Sequence, residues 1–215
     1  VLTLNKPTMK KIDISTWDRR EHYEFFNLAA PCFNLSFPLD VTNLYAYAHE
    51  HKLSFYLILV YLSTEVMNEV ENFRFKIIDD EVYLVDRLHP MFTHMKKGHS
   101  LFHVTAYKLD EPMDEFCVRA KELTENQTTF ISNPDNLGHE EVIYFSSFPW
   151  VEMISLTNEH DADPNHSISR ITWGKYINWG GRLKMNVSVE ANHRLVDGYH
   201  IAQFAMKLQE RIDKM

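Results

Sequence analysis

Ten residues near the C-terminus, Ala191-Asn192-His193-Arg194-Leu195-Val196-Asp197-Gly198-Tyr199-His200, gather side chains that can move a proton. His193 closes a run that reads as a strand, and an Asp-Gly pair follows where a helix begins. An imidazole titrating near about 6.5 at a strand end that faces a cleft suits removal of a proton near neutrality. Asp197 can cap the helix and bond a nearby cation, and Gly198 allows a tight backbone turn. The same residues also fit an ordinary histidine beside an ordinary cap. Three fixed types match a chain of this length by chance about one time in forty. By itself the motif leaves catalysis and packing both open.

The elements that must position these residues follow from pattern. Lys11–Ser15 reads as a short strand, 18–29 as a helix stopped by Pro31, and Cys32–Phe37 as a strand. Asp40 caps a helix over 40–50, and 55–70 is a core helix that turns polar at its end. Strands over 73–78 and 81–86 flank Asp79-Asp80 as a hairpin, and 101–107 is another strand. Met113, Phe116, Cys117, Ala120 and Leu123 recur at helical spacing within 111–126. A loop over 133–138 precedes a strand over 142–146, and 158–167 is polar and turn-rich. Residues 169–178 and 182–191 form a long hairpin about Gly180-Gly181. Ile201, Phe204, Ala205, Leu208 and Ile212 mark a final amphipathic helix. The irregular alternation indicates an α+β fold with a two-layer mixed β-sheet packed with helices. No repeat or linker divides residues 1–215, so one domain is expected, with 1–10 as a loose N-terminal arm.

Composition narrows the function. The 215 residues carry 22 Lys+Arg and 30 Asp+Glu, a formal charge of −8, with 45% hydrophobic residues. That is globular usage, and its acidity disfavours nucleic acid as a partner. Cys32 and Cys117 cannot build a disulfide framework, which fits a reducing compartment. No signal segment is visible, and the most apolar stretch, 53–62, is about half the roughly 20 residues a membrane span needs. A cytoplasmic protein is expected. His160, Asp161, Asp163 and His166 share metal-ligand chemistry but read as solvated loop residues, so no metal is expected. The spacing of His94, His99 and His103 fixes no common face.

The decapeptide with its His-X-X-X-Asp-Gly core is very similar to the signature of the chloramphenicol acetyltransferases. Thr16-Trp17-Asp18-Arg19-Arg20-Glu21-His22 resembles their N-terminal Trp-X-Arg-Arg-Glu-His segment. Ser146-Ser147-Phe148-Pro149-Trp150 resembles their Ser-X-Leu-Pro-Trp segment, and Thr172-Trp173-Gly174-Lys175-Tyr176 their Thr-Met-Ala-Lys-Tyr strand. The match runs in order from about Lys11 to Ile212. The resemblance is to the trimeric, two-layer type.

The resemblance implies direct transfer of acetyl from acetyl-coenzyme A, as co-substrate, to a hydroxyl of chloramphenicol or a similar small alcohol. His193 matches the general base, Ser146 the oxyanion donor and Thr172 a threonine that holds a water nearby. Asp197 and Arg19 match a pair that keeps the site's geometry. Phe25, Phe26, Cys32, Phe102 and Leu156 match the acceptor pocket, and Lys175 and Tyr176 the coenzyme side. A homotrimer with sites between subunits is implied.

This sequence departs from the pattern around the acceptor. Asn192 replaces the first histidine of a doublet, and Phe26 a tyrosine. Phe33-Asn34 replaces Gly-Phe, Asn133-Pro134 replaces Phe-Pro, and Leu156 and Asn158 replace Phe and Leu. A different hydroxyl acceptor, or a non-catalytic relative that binds acyl-coenzyme A or a small ligand, are the alternatives. Acyl transfer to a protein-bound lipoyl group also uses His-X-X-X-Asp-Gly, but the N-terminal segment argues against it.

Overall fold

A computed structural model describes residues 9–159 and 163–215. Its strands are β1 (Met9–Lys11), β2 (Cys32–Asp40), β3 (Phe75–Ile78), β4 (Glu81–Val85), β5 (His89–Met95), β6 (Phe102–Ala106), β7 (Ile131–Ser132), β8 (Val142–Phe148), β9 (Arg170–Gly174), β10 (Ile177–Trp179) and β11 (Arg182–Asn192). Its helices are α1 (Arg20–Phe25), α2 (Thr42–Glu50), α3 (Phe55–Glu69), α4 (Met113–Asn126) and α5 (Gly198–Asp213). Eight strands form one sheet in the order β10-β11-β9-β8-β5-β6-β7, with β2 also paired to β11. β5, β8 and β9 run parallel, whereas β2, β9 and β10 pair antiparallel with β11. This is the mixed sheet expected. β1, β4 and β3 make a small second sheet.

One face of the large sheet is apolar because alternate residues point to it. Phe92, Phe145, Ile171, Val187 and Val189 are buried there in a common core with α3 and α5. α3 is buried almost all round, and the Ser54 side chain caps it by accepting from the Leu57 N–H. α5 presents Ile201, Phe204, Leu208 and Ile212, with Phe204 edge-on to Phe37 at 6.3 Å.

Several local readings change. The first strand ends at Lys11, and Ile14–Thr16 is a short 3-10 turn, because Asp13 accepts from the Ser15 N–H and hydroxyl. Met9 and Lys10, read as part of a loose arm, pair with Val85 and Leu84 in β4; residues 1–8 lie outside the described chain. The helix read over 18–29 shortens to Arg20–Phe25. Asp40 accepts from Thr42, while Val41 occupies the cap position of α2. The hairpin about Gly180-Gly181 joins β10 to β11, but its first arm breaks at Lys175-Tyr176, and β9 pairs farther along β11. Gly198 is the first residue of α5 with no left-handed φ, and a side chain there would meet only Leu35 at 3.8 Å. The turn does not need a glycine.

Candidate active site

β11 delivers His193 to its end, where the chain turns into α5. The His193 N–H donates to the Pro31 carbonyl at 2.9 Å. Phe26 lies flat on the imidazole at 3.7 Å and 7°, and Phe33 is tilted against it at 4.4 Å. Two rings so close leave the imidazole little rotational freedom. His193 Nδ1 lies 3.2 Å from Asp197 Oδ1, out of line for a hydrogen bond, and is buried without another partner. A carboxylate at that distance favours the tautomer protonated on Nδ1, leaving a lone pair on Nε2.

Asp197 is itself held. The buried Arg19 guanidinium grips both its oxygens, Nη1 to Oδ2 at 2.5 Å and Nη2 to Oδ1 at 2.6 Å. The same guanidinium donates to the carbonyls of His193 and Arg194 at 3.0 and 2.8 Å. Arg19 therefore holds the Asp197 carboxyl below its ordinary range. The Asp197 N–H donates to His200 Nδ1 at 2.9 Å, and burial pushes that imidazole below its usual value. Asn192 closes the other side by donating to the Pro164 and His166 carbonyls.

The polar face of the sheet carries a second group. Ser146, Thr172, Ser188 and Ser36 are directly paired across β8, β9, β11 and β2, so their hydroxyls form a row. Ser36 and Ser188 share a hydrogen bond of 2.6 Å. Thr93 extends the row, donating to Ser146 Oγ at 3.3 Å. Ser146 accepts there, so its own proton is free for another oxygen.

Two cavities meet at Ser146. The larger, about 770 Å³, is lined by Phe55, Tyr56, Trp150, Lys175 and Tyr176 among others. Tyr176 is edge-on to Tyr45 at 5.4 Å, while Lys175 is exposed. The smaller, about 500 Å³, takes in Thr172, Phe102, Tyr144, Asn158 and Arg170. Both include Ser146, Phe102 and Thr93. Gly174 lets the 151–153 segment close over β9, since a Cβ there would fall 2.6 Å from Met153 Cβ.

The chain thus assembles two groups. Phe25, Phe26 and Cys32 gather about His193: Phe25 is exposed and edge-on to Phe26, and Cys32 pairs with Asn192. Burial pushes the Cys32 thiol up to about 11. Phe102 lies with Ser146, and the Leu156 N–H donates to Ser188 Oγ at 3.0 Å. His193 lines neither cavity that contains Ser146. It lies five residues beyond Ser188 on β11, about 17 Å along the strand. The five acceptor residues named from sequence do not form one pocket within a chain. Thr93, Arg170, Glu190 and Tyr144 escaped sequence reading because their grouping depends on the register of distant strands. His94 and His103 are cross-strand partners with rings stacked at 5.4 Å. Among the described residues no group of three or more His, Cys, Asp or Glu could hold a metal; His160 and Asp161 lie outside them. Nor is any described helix long and apolar enough to cross a membrane.

Comparison with known proteins decides the family. The family model described as chloramphenicol acetyltransferase matches residues 8–209. The chain belongs to the chloramphenicol acetyltransferase family. It is 30% identical over 202 residues to chloramphenicol acetyltransferase 3 of Escherichia coli, covering 93% of this chain and 95% of the relative. A Bacillus pumilus chloramphenicol acetyltransferase is 27% identical over 208 residues, covering 95% and 93%. A solved chloramphenicol acetyltransferase superposes with a TM-score of 0.85 at 23% identity, covering 95% of this chain and all of that one. The dihydrolipoamide acetyltransferase of Azotobacter vinelandii shares the fold, with a TM-score of 0.64 at 16% identity over 89% of this chain and 85% of that one. This chloramphenicol acetyltransferase family member is a coenzyme A-dependent O-acetyltransferase.

Proposed function

We propose that the protein moves acetyl from acetyl-coenzyme A to chloramphenicol or a similar small alcohol, at a site built by two copies of the chain. The observation that carries this reading is the separation of His193 from Ser146. About 17 Å along β11, before any step across strands, is too far for one chain to use both on one acceptor. In a closed homotrimer His193 of one subunit faces Ser146 of the partner subunit.

His193 Nε2 takes the proton of the acceptor hydroxyl as its oxygen attacks the thioester carbonyl. A positioned base of this kind contributes about 10²–10⁴-fold. The oxyanion that forms receives the Ser146 hydroxyl proton as a hydrogen bond, and Thr172 holds a water beside it. The intermediate collapses, the carbon–sulfur bond breaks, and the thiolate takes the proton back from the imidazolium. Arg19 and Asp197 keep the base in place and carry no proton. In the larger cavity Lys175 meets coenzyme phosphate and Tyr176 the adenine ring. Cytoplasmic residence fits two cysteines that form no framework.

The test is release of coenzyme A from acetyl-coenzyme A, with and without chloramphenicol or another small alcohol. Release should depend on the acceptor and fall about 10²-fold or more in His193→Ala. Unchanged turnover in that variant would overturn the role of His193.

A further inference from the structure

Beside the hydroxyl row runs a second polar row, two residues back along the same strands. Tyr144, Arg170, Glu190 and Asn34 are paired across β8, β9, β11 and β2. Tyr144 and Arg170 line the 500 Å³ cavity together with Ser146 and Thr172. Met91, Val104, Phe130 and Ile171 give that cavity apolar walls, and Thr93, Asn158 and Glu159 are its other polar residues. A charged side chain in such a wall must find partners.

Arg170 has one that holds it and donors left over. Its Nη1 donates to Glu190 Oε1 at 3.1 Å, and its side chain is only 12% exposed. The Asn158 N–H donates to Glu190 Oε2 at 3.0 Å, so both oxygens of that carboxylate are engaged. The guanidinium lies 5.7 Å from the Tyr144 ring centroid. Of five N–H donors, one has a partner among the described residues, and Arg170 itself lines the cavity. The Tyr144 hydroxyl is paired with His139 Nδ1 at 3.1 Å.

We infer that the acceptor alcohol carries a carbonyl or carboxylate oxygen that accepts from Arg170, about 7 Å from the hydroxyl that is acetylated. The distance is the two-residue step between the rows, about 3.3 Å per residue. This rests on the acetyl-transfer reading, which places the oxyanion at Ser146 and the hydroxyl that attacks the same carbon beside it. Glu190 orients the fork and balances its charge, so a neutral carbonyl and a carboxylate share the same recognition. A site built to hydrogen-bond its substrate rejects an analogue without the matching group, because its own donors are then buried unpaired.

The test uses three alcohols of one shape: 4-(hydroxymethyl)benzoate, 4-(hydroxymethyl)benzamide and 4-methylbenzyl alcohol. Coenzyme A release gives kcat/KM, and NMR titration gives Kd without turnover. The two polar alcohols should exceed the methyl analogue by about tenfold or more. The double variant Arg170→Met/Glu190→Gln, which removes the ion pair and leaves no lone buried charge, should abolish that preference. Benzoate against benzamide separates carboxylate from carbonyl. Equal values for all three alcohols, or a preference that survives the double variant, would overturn the inference. Arg170-dependent binding without release would instead contradict acetyl transfer to these alcohols and leave the recognition standing. Absence of Arg170-dependent binding would overturn the recognition whatever the turnover.

Discussion

Arg19 and Asp197, 178 residues apart, meet fork to fork through hydrogen bonds of 2.5 and 2.6 Å. The pair ties the start of α1 to the start of α5, and through the His193 carbonyl it also fixes the end of β11. One guanidinium thus sets both the carboxylate beside the imidazole and the backbone that carries it.

Arg19→Ala should cost about 3–5 kcal/mol, because it leaves a partly buried carboxylate without its counter-charge. The urea midpoint should fall, and coenzyme A release with it. The pair also gives an acid limb. Arg19 lowers the Asp197 carboxyl from its ordinary 3.8, so the stabilisation is complete above that value. It is lost as pH falls through the lower native value. Asp197→Asn should be less stable at neutral pH and lack that part of the acid dependence. A wild-type urea midpoint in Arg19→Ala would contradict this account.

Lys76 on β3 gives a slope of the same sign in a higher pH window, but here the charged form is the costly one. It is fully buried, and its ammonium donates to the Ser167 carbonyl at 3.1 Å. Burial lowers it from 10.5 to about 7. Between those values the unfolded chain holds a proton the native chain does not, so native stability rises with pH across the window. Lys76→Met should therefore gain thermal stability over wild type most at pH 7 and less toward pH 10. A difference in Tm that stays constant with pH would contradict the assignment.

Gly174→Ala should place a methyl 2.6 Å from Met153 Cβ and 3.0 Å from its backbone nitrogen. The 151–153 segment must then move away from β9, where Lys175 N–H now donates to the Val151 carbonyl at 3.2 Å. Crowding of this kind costs about 1–3 kcal/mol. The larger cavity loses its wall, so KM for acetyl-coenzyme A should rise more than kcat falls. Equal stability and KM in wild type and variant would show that the segment is not held by this contact.

The parts legible in sequence are those set by neighbours in the chain. The β3–β4 hairpin was readable because Asp79-Asp80 tolerates the left-handed turn it adopts, with φ of 51° and 63°. α3 was readable from its apolar run, and His193 from its place between a strand and an Asp-Gly step. β5 was not read: Pro90 and two histidines mask a strand that is central only because β6 and β8 pair with it. The hydroxyl row and the Arg170 row were equally hidden. Thr93, Ser146, Thr172, Ser188 and Ser36 are ordinary strand residues until the register aligns them. The distance between His193 and Ser146 was also invisible, because it is set by where β9 pairs along β11.

The central claim, a site shared between copies, is tested most directly by mixing two inactive chains. Co-expressed His193→Ala and Ser146→Ala chains form assemblies in which some sites draw an intact histidine from one subunit and an intact serine from the next. Random assembly gives such a pairing at about one quarter of sites, so about one quarter of wild-type coenzyme A release should return. Activity no greater than the mean of the two parents would contradict a site built between subunits.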